Sequence, residues 1–139
     1  MRITIKYLLL IVLIFCFSCE KQVLSVNCSD CTSGEPLNAN LKIKIDIYKG
    51  VSAPLINIYE GNLEDSVLYK TYKPIDAETS VTVTLNKKYT ATVSYFISNK
   101  QYIAIDSATP GVVYNKDQCD NPCYYIYNNV LDLRLKYTK

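Results

Sequence analysis

Six cysteines stand in the 139-residue chain, and four of them fall in two short clusters, Cys28-Ser-Asp-Cys31 and Cys119-Asp-Asn-Pro-Cys123. Three kinds of chemistry use such a set. Four thiolates can hold zinc in a tetrahedron, a CxxC pair can exchange electrons, and oxidised pairs can staple a fold. A zinc ribbon favours two-residue spacers, yet the second cluster has three, and the chain contains no His to complete a mixed site. A redox CxxC belongs beside a βαβ unit, and no stretch of this sequence has helical spacing. Disulfide staples are therefore the expected chemistry. Of the three connectivities, the two that join one cluster to the other are favoured over pairing within each. A bridge closing a ~90-residue loop removes roughly 4 to 5 kcal/mol of denatured-state entropy. No metal and no cofactor are expected.

The remaining polar residues do not assemble a catalytic set. Without His the commonest general base is missing, and only four Gly leave no phosphate-cradling loop. No Ser stands in a nucleophile-elbow context. Glu60, Glu64 and Asp65 surround Gly61-Asn62, which a hairpin turn explains without calcium, since no ligand pattern of fixed spacing is present. Asp117, Asp120 and Asn121 are expected to cap the cysteine-bearing loop. A carboxylate pair can serve a glycosidase, but a thin domain of this size leaves little room for a cleft. We expect no enzyme and no small-molecule substrate. A formal charge of +2 is no footprint for nucleic acid either.

The elements that position these groups begin with an address. Arg2 and Lys6 precede eleven apolar residues, Tyr7 to Phe17, and Ser18 is small. Eleven helical residues rise only about 16 Å, roughly half of a bilayer core, so the segment is too short to span and has the form of a signal peptide. Phe17-Ser18-Cys19-Glu20 resembles the lipobox of bacterial lipoproteins, although Cys16 stands where that family usually has Leu. The resemblance implies cleavage before Cys19, a thioether-linked diacylglyceryl group and an N-acyl chain such as palmitate. Parity agrees, because lipid on Cys19 leaves four cysteines that can all pair. Glu20 favours the outer membrane over inner-membrane retention. Without Arg2 and Lys6 the chain carries thirteen basic and thirteen acidic residues, so its apparent basicity belongs to targeting.

Residues 19–40, with few periodic apolars and the turn-forming Ser33-Gly-Glu-Pro36 and Asn38-Ala-Asn40, are expected to form a tether pinned by Cys28 and Cys31. From Leu41 the pattern turns to period two: Leu41, Ile43, Ile45 and Ile47 alternate with Lys42, Lys44, Asp46 and Tyr48. The alternation recurs in Ile56 and Ile58, in Val67, Tyr69 and Thr71, in Val81, Val83 and Leu85, from Tyr89 to Ile97, in Ile103 and Ile105, and from Leu131 to Tyr137. Turn signals such as Ser98-Asn99-Lys100 and Pro110-Gly111 separate the runs. The organisation expected is a signal peptide over residues 1–18, a lipidated tether over 19–40, and one all-β domain over 41–139. That domain is an antiparallel β-sandwich of about seven strands, resembling immunoglobulin-like or transthyretin-like sandwiches. Leu85 to Val93 resembles the corner of Greek-key sandwiches in which a Tyr hydroxyl, here that of Tyr89, bonds back to upstream backbone.

Two surfaces stand out. Cys123-Tyr124-Tyr125-Ile126-Tyr127 has no polar face, which suits either a strand covered on both sides or an aromatic binding surface of Tyr124, Tyr125 and Tyr127. Asp65-Ser66-Val67 and Asp106-Ser107-Ala108 resemble the O-glycosylation acceptor of some Gram-negative bacteria, marking Ser66 and Ser107. Asn27-Cys28-Ser29 also fits the N-glycosylation pattern, which a bacterial lipoprotein would rarely use. The expected role is a non-catalytic binding or assembly module of the envelope, held by its lipid and partnered by another envelope protein. A small inhibitor of an exogenous hydrolase and a glycan-binding module are the alternatives.

Overall fold

The computed structural model describes residues 26–47 and 54–136. The segment expected to be a signal peptide and Cys19 lie outside the described residues. The described chain is all-β, with nine strands. They are β1 (Asn38–Lys44), β2 (Ile56–Glu60), β3 (Leu68–Tyr72), β4 (Glu78–Thr84), β5 (Tyr89–Ile97), β6 (Lys100–Ala108), β7 (Gly111–Asn115), β8 (Cys123–Tyr127) and β9 (Val130–Asp132). One sheet has the order β4-β1-β9, a second β3-β2-β5-β6, and β7-β8 form a separate hairpin. Every pair is antiparallel except β1 with β9, which run parallel.

The core of the β-sandwich lies between the first two sheets. Alternation along β1 turns Ala39, Leu41 and Ile43 inward, and Val81, Val83 and Leu131 extend that layer. Ile56 and Ile58 of β2 and Ala91, Val93 and Tyr95 of β5 face them from the other sheet. The first strand opens at Asn38, inside the segment assigned to the tether, and Ala39 is already buried. Tyr89 is fully buried, and its hydroxyl accepts the Thr84 backbone N–H at 3.1 Å, the upstream backbone contact expected of a tyrosine corner. Tyr95 closes the opposite seam: its hydroxyl donates to the Leu133 carbonyl at 2.9 Å and accepts from Asp46 N–H at 3.2 Å. Asp106 and Asp46 then accept the backbone N–H groups of Asp132 and Leu135, each at 2.7 Å. Side chains thus replace the ladder bonds that the short β9 lacks.

Two strands depart from the expected facing. In β6 it is Tyr102 and Ala104 that turn to the core, whereas Ile103 and Ile105 stay 60% and 55% exposed. The cause is the turn. Ser98 and Asn99 both take positive φ, 50° and 61°, the geometry of a two-residue hairpin, which pairs Ile97 with Lys100 and therefore Val93 with Ala104. A register set by the turn flips every side chain of the following strand. In β3 the expected inward set Val67, Tyr69 and Thr71 fails because the ladder slips between Ile58 and Tyr59, leaving Tyr69 as the extra residue. Tyr72 packs on the core instead, and Thr71 turns out to bond Asn57 at 3.0 Å. The bulge lets Tyr69 stack edge-on against Tyr89 and donate to the Thr82 carbonyl of the other sheet.

Candidate functional site: the stapled end

The chain leaving the tether region makes a 3₁₀ turn over Cys28–Asp30. The side chain of Asn27 caps it, accepting from Ser29 N–H at 3.3 Å and Ser29 Oγ at 2.8 Å. This turn aims Cys28 and Cys31 at the far end of the sequence. Cys28 is bonded to Cys119 and Cys31 to Cys123, with Cα separations of 5.7 and 5.5 Å, inside the usual disulfide range. Of the two cross-connectivities left open by the spacing, this is the one formed. Thr32 then pairs with Tyr124 of β8 through reciprocal backbone bonds of 3.0 and 2.8 Å, and Val26 N–H reaches the Gln118 side chain at 3.2 Å. The incoming segment is therefore a partial third strand on the β7-β8 hairpin, fastened by two covalent bonds.

Asn115, at the end of β7, organises the cysteine loop. It is 8% exposed; its side-chain Oδ1 accepts Gln118 N–H at 3.2 Å and its Nδ2 donates to Cys119 Sγ at 3.3 Å. The expected caps Asp117, Asp120 and Asn121 make no hydrogen bond among the described residues. A cap one turn earlier, on a residue legible only as the start of Asn-Lys-Asp, does that work. The Sγ atoms of Cys31, Cys119 and Cys123 all lie within 4.8 Å of one another. Beside them a hollow of about 320 Å³ opens, bordered by Thr32, Ser33, Asp120 and Pro122.

The three tyrosines expected as one surface are divided by the pleat. Tyr124 stacks on Tyr114 on one face, with ring centroids 5.0 Å apart, while Tyr125 and Tyr127 point the other way. Tyr127 lies over Gly111, where a Cβ would stand 2.5 Å from the ring, so any larger residue there has to push the tyrosine aside. Tyr125 borders a second hollow of about 300 Å³ with Asn40, Lys42, Asn129 and Asp30.

Several of the acidic groups have local partners. Lys87 bonds Glu60 at 2.7 Å, which raises the lysine above its ordinary value. Asp65 accepts Asn62 N–H at 2.9 Å within a 3₁₀ turn over Leu63–Asp65, so this connection is not the simple hairpin turn expected. The Arg134 guanidinium chelates Asp132 at 2.7 and 2.8 Å and holds its carboxyl well below the usual carboxylate range. Among the described residues, the cysteines are the only group of three or more candidate ligands that converge. Ser66, the residue with φ 53° that ends the 3₁₀ turn, and Ser107, on edge strand β6, are both exposed. No helix among the described residues is long and apolar enough to cross a membrane. Comparison with protein-family models, with curated proteins and with solved structures returns no match.

Proposed function

We propose that this chain is a bacterial envelope lipoprotein, acylated on Cys19 after removal of residues 1–18. On this reading its β-sandwich, of the immunoglobulin-like or transthyretin-like kind, is a non-catalytic binding or assembly module on the outer membrane. The observation that carries the reading is the double staple that pins the tether close to its anchored end. Between Cys19 and Cys28 lie few enough residues that the anchor reaches at most about 30 Å. A pull from the membrane arrives at the Cys28–Cys119 and Cys31–Cys123 bridges and at the Thr32–Tyr124 pairing before it reaches β1. Two acyl chains or more hold a protein stably where one does not.

The assembly role, rather than the inhibitor, draws support from the outer face of β5 and β6. There Phe96, Ile103 and Ile105 are each more than half exposed, on a sheet whose last strand is β6. Exposed apolar side chains on an edge strand are the features that partner proteins cover. O-glycans on Ser66 and Ser107 belong to the same proposal.

Metabolic labelling with palmitate tests the anchor: wild type takes up label and Cys19→Ala does not, and equal labelling of both overturns the reading. Mild detergent extraction tests the role. Copurification of an envelope protein, lost on Ile103→Lys, supports assembly; recovery of the chain alone, lowering the rate of an added hydrolase in proportion to its amount, supports the inhibitor.

A further inference from the structure

The last strand of the four-stranded sheet, β6, ends that sheet without the usual protection. Edge strands are commonly blunted by a proline, a bulge or a lysine in mid-strand. At the opposite edge β3 has both a bulge and the mid-strand Lys70, and the Tyr69 hydroxyl ties it to Thr82 of the other sheet. By contrast, β6 pairs with β5 in unbroken register, and from Gln101 to Ile105 it holds no charge, glycine or proline. The closing pair of its hairpin, Ile97 with Lys100, is hydrogen-bonded across the two-residue turn. The even-numbered residues of β6 therefore bond to β5, and the N–H and C=O groups of Gln101, Ile103 and Ile105 point to the open edge. Among the described residues none of these groups has a backbone partner. A hollow of about 350 Å³ lies beside that edge, between Ile103, Ile105 and Arg134.

This edge is complementary to itself. An antiparallel pair of β6 strands centred on Ile103 sets Ile103 opposite Ile103, Gln101 opposite Ile105, and Lys100 opposite Asp106, the last two twice over. In that register all the free backbone groups of Gln101, Ile103 and Ile105 find partners, and the isoleucines of both chains meet on the outer face. Lys100 is exposed and shares a face of the strand with Asp106. Asp106 keeps lone pairs free beyond the Asp132 and Ser107 N–H groups it accepts. Moving the centre to Ala104 sets Lys100 opposite Ala108 and calls on the Ser107 N–H, which Asp106 already holds at 2.9 Å. Moving it to Tyr102 drops Ile105 from the ladder and sets Lys100 opposite Ala104. A two-fold contact needs a patch that matches its own copy, and opposite charges equally spaced about Ile103 supply one.

We propose that the partner of this face is a second copy of the chain, joined β6 to β6, so that two four-stranded sheets become one continuous sheet. The proposal rests on the assembly reading above and names what that face binds. A contact between two edge strands buries little surface, so the dimer is weak and reversible, and confinement to a membrane favours it.

The test is sedimentation equilibrium of the full chain, purified from membranes in a large excess of detergent micelles, at concentrations up to about 200 µM. Reversible dimerisation is expected, with no larger species. Lys100→Glu sets like charges opposite each other twice and should weaken the dimer by about tenfold or more. Ile103→Lys brings two ammonium groups together on the two-fold axis and should leave monomer only. Register is read with single cysteines and a short bis-thiol reagent. Ile103→Cys chains should crosslink to each other, whereas Ile105→Cys chains, held apart across the axis, should not. Monomer at every concentration, a dimer indifferent to both charge substitutions, or crosslinking of Ile105→Cys in preference to Ile103→Cys each overturns the proposal. Monomer together with copurification of a different envelope protein, lost on Ile103→Lys, removes the second copy and leaves the assembly reading standing.

Discussion

The two ends of this molecule are held together by different physics. Between the large sheets, Leu41, Ile43, Ile56, Ile58 and Leu131 have no exposed surface, and burial of such aliphatics stabilises by roughly 1.5 to 3 kcal/mol each. At the hairpin end the fully packed positions are Gly111, Asn115 and Cys123, and the aliphatics Val112 and Ile126 are only partly buried. A two-stranded hairpin with so little apolar cover is marginal alone. Disulfides supply there what apolar contacts supply in the sandwich. It follows that reduction should loosen the hairpin end first, and should unfold the sandwich only if its total stability is smaller than what the bridges contribute.

The sharpest way to break that contrast is to remove the staples. On the chain-entropy account, losing both bridges costs roughly 6 to 8 kcal/mol. The first bridge closes the long loop between Cys28 and Cys119, which is worth about 4 to 5 kcal/mol; the second closes only a small ring beside it, about 2 to 3 kcal/mol. Urea unfolding of Cys28→Ser/Cys119→Ser should therefore show the smaller loss, and the four-serine variant the sum. Equal losses in both would mean that the bridges do not share one long loop's entropy.

Next in size is the core. Ile58→Ala should cost about 3 to 4 kcal/mol in chemical denaturation. The cost should be the same, within about 0.5 kcal/mol, in oxidised and reduced protein, because the site lies in the other region. A cost that disappears on reduction would tie the sandwich to the staples and dissolve the distinction. Tyr89→Phe, a smaller change, leaves the part-buried Thr84 N–H without its acceptor and should lower stability by about 1 kcal/mol, read the same way.

The smallest expected effect is a pH dependence in the seam. Asp132 has its folded pKa lowered by the Arg134 hydrogen bond, so its contribution is present above the ordinary aspartate value, near 4, and is lost as pH falls below it toward the lowered folded value. Both side chains are largely in water, so the term is slight. Arg134→Ala should lower neutral stability slightly and leave strongly acid stability unmoved, which flattens the acid limb of the profile; an unchanged acid limb would remove the pair from the account.

How much of this was legible in the residues follows from which forces are local. The alternation of Leu41, Ile43 and Ile45 with lysines and aspartate gives β1 its buried face, because a period of two has one outcome on a half-covered sheet. The cross-linking of the two cysteine clusters followed from loop entropy, and the Tyr89 corner from its place after a turn. Ile103 and Ile105 misled because apolar pattern and turn geometry disagree there, and the left-handed Ser98-Asn99 pair won. Tyr69 was hidden by a bulge, which leaves no mark in the alternation. Tyr125 stands out of phase with Tyr124 already in the sequence, as the pleat requires, but that alternation does not say which side of the hairpin is covered. Asn115 was missed altogether, since its role exists only once Cys119 is folded back toward it.

Intact mass and peptide mapping of the native protein, purified from membranes without reductant, weigh the anchor and the clamp together. The expected product is a chain starting at Cys19, bearing a diacylglyceryl group and an N-acyl chain, with Cys28–Cys119 and Cys31–Cys123 peptides linked. An unmodified chain starting at Met1, or bridges confined within each cluster, would contradict it.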